Sequence, residues 1–168
     1  MIKQLTTISL ILFVSFIILI SVDVTISSPV YNYNVTIKTS GSPKFESHQG
    51  KLKMNILYQS ESGTSQEDFV LTPVDVKIEP NREYQSTIAS FSPMANITSI
   101  YLRWTLASPY NPIYKIKKPV VYFDSITLTH INSDSAIHMT ITQSRRYCSP
   151  VSPTAIKHAD GNTFYPCV

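Results

Sequence analysis

Ile100-Tyr101-Leu102-Arg103-Trp104-Thr105-Leu106 alternates without a fault, with Ile100, Leu102, Trp104 and Leu106 on one side and Tyr101, Arg103 and Thr105 on the other. Alternation with period two predicts a strand with one face in a core and the other in water. The pattern recurs in both directions. Upstream, Leu52, Met54, Ile56 and Tyr58 alternate with Lys51, Lys53 and Asn55, and Tyr31, Tyr33, Val35 and Ile37 with Asn32, Asn34, Thr36 and Lys38. Residues 69–78, interrupted by Pro73, and residues 84–91 read as extended, and the polar stretch 59–66 reads as a loop. Downstream, residues 120–131 form a strand with a bulge expected at Asp124-Ser125, where the inward register falters. Ile137, Met139 and Ile141 mark the next strand, and a short one over 146–148 precedes a proline-rich tail. No window after the first thirty residues carries a helical stripe. Such strands, divided by turn residues, predict an all-β domain, an antiparallel eight-stranded β-sandwich.

The N-terminus differs in kind. Lys3 precedes an uncharged apolar run over 5–22 that ends at Asp23. A basic start and an apolar stretch predict a signal peptide or signal anchor over residues 1–27, with Thr25 and Ser27 offering a small-x-small cleavage site. Either form exports the domain at 28–168, as a secreted, extracellular protein or as a membrane-anchored one with the domain outside. In that oxidising setting, Cys148 and Cys167 are expected to form a disulfide. Closing a loop of that length contributes on the order of 3 kcal/mol. Asn34-Val35-Thr36 and Asn96-Ile97-Thr98 fit the N-glycosylation pattern, which makes Asn34 and Asn96 candidate glycan acceptors.

The net charge of +3 is too small to argue for nucleic acid. Residues 29–83 balance to −1, whereas residues 84–168 carry +4, through Lys115, Lys117, Lys118, Arg145 and Arg146 among others. This asymmetry suits an anionic partner such as lipid headgroups or a sulfated glycan. Catalytic chemistry finds no foothold. Gly63-Thr64-Ser65-Gln66-Glu67 lacks the second glycine of a nucleophile elbow. His48, His130, His138 and His158 follow no zinc spacing, and His130 and His138 read as a cross-strand pair. Asp75 with Glu79, and Glu67 with Asp68, sit in no calcium loop. No catalytic residue, metal site or cofactor is therefore expected.

One linker combines three prolines with amphipathic and basic residues, Ala107-Ser108-Pro109-Tyr110-Asn111-Pro112-Ile113-Tyr114-Lys115-Ile116-Lys117-Lys118-Pro119. Aromatic rings beside lysines suit the bilayer boundary, where the ring sits at headgroup depth and the ammonium meets phosphate. Tyr110, Ile113, Tyr114, Lys115, Lys117 and Lys118 are the candidate lipid-contacting residues. The alternative is that these side chains fold back and cap the core.

Four stretches give the chain a resemblance to a known family. Residues 33–41 (YNVTIKTSG), Phe69-Val70-Leu71 followed by Asn81-Arg82-Glu83-Tyr84, residues 97–104 (ITSIYLRW) followed by Asn111-Pro112, and Tyr147-Cys148-Ser149-Pro150 with Pro166-Cys167 occur in an order that resembles the PLAT (lipoxygenase-homology) domain. Within that group the chain is similar to the C-terminal domain of pancreatic and lipoprotein lipases. Where those lipases carry an α/β-hydrolase domain upstream, this sequence has the signal-like segment. Tyrosines also stand where lipoprotein lipases place tryptophans. The resemblance implies a non-catalytic module that binds a lipid or membrane surface. A lipase or other protein, or a sulfated glycan, would be the partner of an interaction module, and a truncated lipase gene product is the third alternative.

Overall fold

The computed structural model describes residues 28–168 except Val74, Pro109, Asn111, Ile113, 115–117 and 135–138, with backbone alone for 131–134 and 139–141. The expected N-terminal signal at 1–27 lies outside the described residues. Ten strands follow one another: β1 (Tyr31–Thr39), β2 (His48–Ser60), β3 (Gly63–Val70), β4 (Val76–Ile78), β5 (Glu83–Ser90), β6 (Ile97–Leu106), β7 (Val120–Asp134), β8 (Met139–Cys148), β9 (Thr154–Lys157) and β10 (Gly161–Pro166). Eight of them make a continuous antiparallel path, β3-β2-β6-β10-β8-β7-β1-β5, while β4 pairs with β2 and β9 with β7. The path divides into sheet A (β5-β1-β7-β8, with β9) and sheet B (β3-β2-β6, with β4). Strand β10 belongs to both: Gly161 to Phe164 pair with β6, and Tyr165 and Pro166 pair with β8.

The core lies between the sheets. Sheet A contributes Tyr33, Val35, Ile37, Val121, Phe123, Ile126, Leu128 and Tyr147, and sheet B contributes Leu52, Met54, Ile56, Ile100, Leu102 and Trp104, all buried. These are the inward sides of the alternations read from the sequence. The bulge expected at Asp124-Ser125 is present. Lys38 pairs with Ser125 and Thr39 with Phe123, so Asp124 is the unpaired residue. At the same point β7 exchanges β9 for β8 as its neighbour, and the buried positions shift from Val121 and Phe123 to Ile126 and Leu128.

The structure corrects three parts of the strand reading. Residues 59–66 are a hairpin, in which Ser60 pairs with Gly63 across a two-residue turn and β3 follows at once. Gly63 takes φ 118°, which a glycine adopts without a Cβ penalty. Strand β3 ends the sheet path, so its polar residues, Thr64, Gln66 and Asp68 on the solvent side and Ser65 and Glu67 at the rim, need no apolar cover. The short strand at 146–148 is the end of a longer one, β8. The proline-rich tail is two further strands, β9 and β10, too short to show a period. His130 is paired with Gln143 in the β7–β8 register, and His138, its expected partner, lies outside the described residues.

Candidate functional site

The linker 107–119 leaves β6 at one end of the sandwich. Beside it, at the same end, lie the β1–β2 linker (40–47), the β4–β5 turn (79–82) and the β9–β10 turn (158–160). The opposite end of β6 carries a single 3-10 turn at Met94–Asn96. A ten-residue strand separates the two ends by about 30 Å.

The two described tyrosines of the linker part ways. Tyr110 is 89% exposed. Tyr114 is half-buried, packs against the core cluster and meets the His48 ring edge-on at 6.2 Å. Of the two readings of this segment, Tyr114 takes the place of a core cap, and Tyr110 stands clear of the core. Lys118 is exposed, and Ile113, Lys115 and Lys117 lie outside the described residues.

Trp104 holds this end together. It is fully buried, and its indole Nε1–H donates to the Ile156 carbonyl at 2.6 Å, a bond that crosses from sheet B to β9 of sheet A. His48 stacks on the indole at 5.9 Å, and His158 meets it edge-on at 6.1 Å. His158 also closes the linker at both ends. The Leu106 N–H donates to His158 Nδ1 at 3.1 Å, and the His158 N–H donates to the Pro119 carbonyl at 3.0 Å. Nothing in the sequence announces this grouping, since His48 and His158 lie 56 and 54 positions from Trp104 and the spacing rules for histidine address metals.

Both imidazoles resist protonation. Burial pushes His48 below its ordinary value, against a partial pull upward from Glu46. Burial first, then Lys118 and Arg103, pushes His158 down. An unfolded histidine takes up its proton near 6.5 and these two take it up lower. The native state therefore keeps its full stability above pH 6.5 and loses part of it as the pH falls below that value. Protonation also removes Nδ1 of His158 as an acceptor for Leu106. The denaturant midpoint is expected to fall between pH 7.5 and 5, and His158→Gln should flatten that slope. A wild-type midpoint that rises as the pH drops through this window would contradict the assignment.

The remaining sequence candidates are spread over the fold. Asn34 is exposed on the outer face of sheet A, where Thr87 Oγ1 donates to its Oδ1 at 3.3 Å. Asn96 is exposed at the end opposite the linker. Cys148 and Cys167 are disulfide-bonded, with Cα atoms 5.2 Å apart. Ser65 lies within strand β3, far from the strand-to-helix turn that a nucleophile elbow needs. Among the described residues no group of three or more His, Cys, Asp or Glu side chains is arranged to hold a metal ion.

No protein-family model matches the chain, and no curated protein matches it in sequence. Its fold is similar to part of the lipoxygenase (LOX) chain. Crystal structures of two LOX variants align with TM-scores of 0.52 and 0.53 at 13% and 12% identity, covering 83% of this chain and 17% of theirs. A LOX crystal structure in complex with arachidonate aligns with a TM-score of 0.51 at 13% identity over the same shares. The chain thus matches about a sixth of the lipoxygenase length, a β-sandwich portion, and the likeness is one of fold.

Proposed function

We propose that this chain is an exported, non-catalytic PLAT-type module that docks on lipid or membrane surfaces through the end carrying linker 107–119. The observation that carries the reading is Tyr110. A tyrosine 89% exposed on a proline-stiffened segment has no packing role, and that same segment contains Lys115, Lys117 and Lys118. A ring of this kind gains free energy at headgroup depth, and the lysines gain it from anionic phosphate. Tyr114, held against His48, fixes the base of the segment while Tyr110 projects from it. The likeness in fold to a portion of lipoxygenases supports the same reading, as does the resemblance in sequence order to lipase C-terminal domains. Glycans on Asn34 and Asn96 would occupy the outer face of sheet A and the far end, leaving the linker bare.

Vesicle co-sedimentation tests the proposal. Tyr110→Ala should weaken binding to neutral and anionic vesicles alike, with the melting temperature unchanged. Replacing Lys115, Lys117 and Lys118 with Gln should weaken binding to anionic vesicles only, by roughly 1 kcal/mol per charge, and added salt should erase the difference. Tyr114→Ala should instead lower the melting temperature. Wild-type protein that ignores every vesicle while retaining a sulfated glycan or a protein partner would replace this reading with that of a sandwich interaction module.

A further inference from the structure

A cleft of about 390 Å³ opens beside the linker, lined by Lys44, Phe45, Glu46, His48, Tyr114, Lys118, Pro119, Val120 and Tyr122. Its walls come from two segments remote in sequence, the β1–β2 linker with the start of β2, and the end of linker 107–119 with the start of β7. Aromatic rings and a proline form part of the cleft's lining. Phe45 and Tyr122 lie at 6.2 Å with their planes tilted by 42°, Tyr114 stands edge-on to His48, and Pro119 is buried. The mouth is charged, since Lys44, Glu46 and Lys118 are all exposed. Among the described residues the only ion pairs join Glu79 to Lys77 and Arg82, so neither lysine of the mouth is neutralised by a carboxylate there.

Aromatic surface and two exposed lysines lining one cleft match one kind of ligand. We infer that the cleft binds a single anionic amphiphile, a fatty-acid carboxylate whose chain lies along Phe45, Tyr114 and Tyr122 and whose head sits between Lys44 and Lys118. Transfer of the chain out of water supplies the affinity, and the two charges fix its direction. Glu46 works against the ligand. Its carboxylate lowers the mouth from two positive charges to a net one and repels a second anion. The cleft is distinct from the exposed Tyr110 ring, and its ligand would be bound one molecule at a time, without a bilayer.

The probe is dodecanoate, titrated calorimetrically into the mature domain below its micelle concentration, with dodecanol as the uncharged control. Saturable binding with a stoichiometry near one is expected, and dodecanol should bind more weakly. Lys44→Gln and Lys118→Gln should each weaken dodecanoate binding by about fivefold and leave dodecanol unaffected. Glu46→Gln should tighten it by a similar factor, an effect in the opposite direction that no general loss of folding produces. Phe45→Ala should weaken both ligands. Equal affinity for dodecanoate and dodecanol, or no effect of Glu46→Gln, would overturn the assignment, as would binding of dodecylphosphocholine in preference to dodecanoate. Because no membrane is present, failure here leaves the docking role of Tyr110 standing. Loss of vesicle binding in Tyr110→Ala likewise leaves the cleft untouched.

Discussion

Trp104→Ala is expected to destabilise the domain by about 3–5 kcal/mol. A chain of this size has about 5–15 kcal/mol in total, so the variant should be at least partly unfolded at moderate temperature. Three losses coincide. The indole is fully buried, and removing it opens a cavity between the sheets. Its N–H leaves the Ile156 carbonyl without the donor that ties sheet B to β9. His48 and His158 lose the surface on which both rest, and with them goes the closure of linker 107–119 at Leu106 and Pro119. Trp104→Phe separates these contributions, because it keeps most of the volume and removes the donor. It should cost clearly less than the alanine variant. Urea unfolding followed by circular dichroism reads both, since the chain has no other tryptophan to report by fluorescence. If the two variants lose the same stability, the indole N–H rather than packing carries the effect, and a midpoint unmoved in Trp104→Ala would refute the account.

Cys148→Ala is expected to cost about 2–4 kcal/mol, chiefly by releasing the unfolded chain from a closed loop. The position of the bond adds a reason for its importance. Cys148 ends β8 opposite Tyr165 of β10, and the Cys167 N–H donates to the Arg146 carbonyl at 2.9 Å. The disulfide therefore fastens β10 to β8 at the place where sheet A meets sheet B. Oxidised protein should show no alkylatable thiol by intact mass, and reduction should lower the denaturant midpoint as far as the alanine variant does. Two free thiols in native protein would sink the expectation.

How far the sequence could be read depended on where each side chain faces. The strand around Trp104 was legible because every inward residue is large and apolar and every outward one is polar. The Asp124 bulge was legible for the same reason, since the alternation slips by one there. Strand β3 was hidden because it lies at the edge of its sheet, where Ser65 and Glu67 occupy inward positions that elsewhere hold Leu or Ile. Strands β9 and β10 were hidden because they are short and stand among prolines, with Ile156 and Phe164 as their only large buried side chains. The tyrosines of the linker were visible as amphipathic residues, but their directions were not. Tyr114 turns inward because His48, 66 positions earlier in the chain, offers a ring to meet it. The cleft was illegible for the same reason, because Lys44 and Lys118 line one cleft only when the two linkers come to one end of the sandwich.

Strand β10 has a consequence in time. Synthesis proceeds from β1 onward, so both sheets wait for a strand near the end of the described chain. Until residues 161–166 arrive, residues 100–103 of β6 and 147–148 of β8 lack their β10 partners, and unpaired strand backbone of this kind recruits other chains. Cys148 waits as a thiol for Cys167, 19 positions later. At about 5–20 residues per second, that interval is about 1–4 s. During it the nascent chain carries an unmated cysteine and unpaired stretches on two strands, and one short segment supplies the partners of all three. A chain lacking residues 161–166 would therefore be a half-joined sandwich, with backbone groups of both sheets open to pairing with its neighbours.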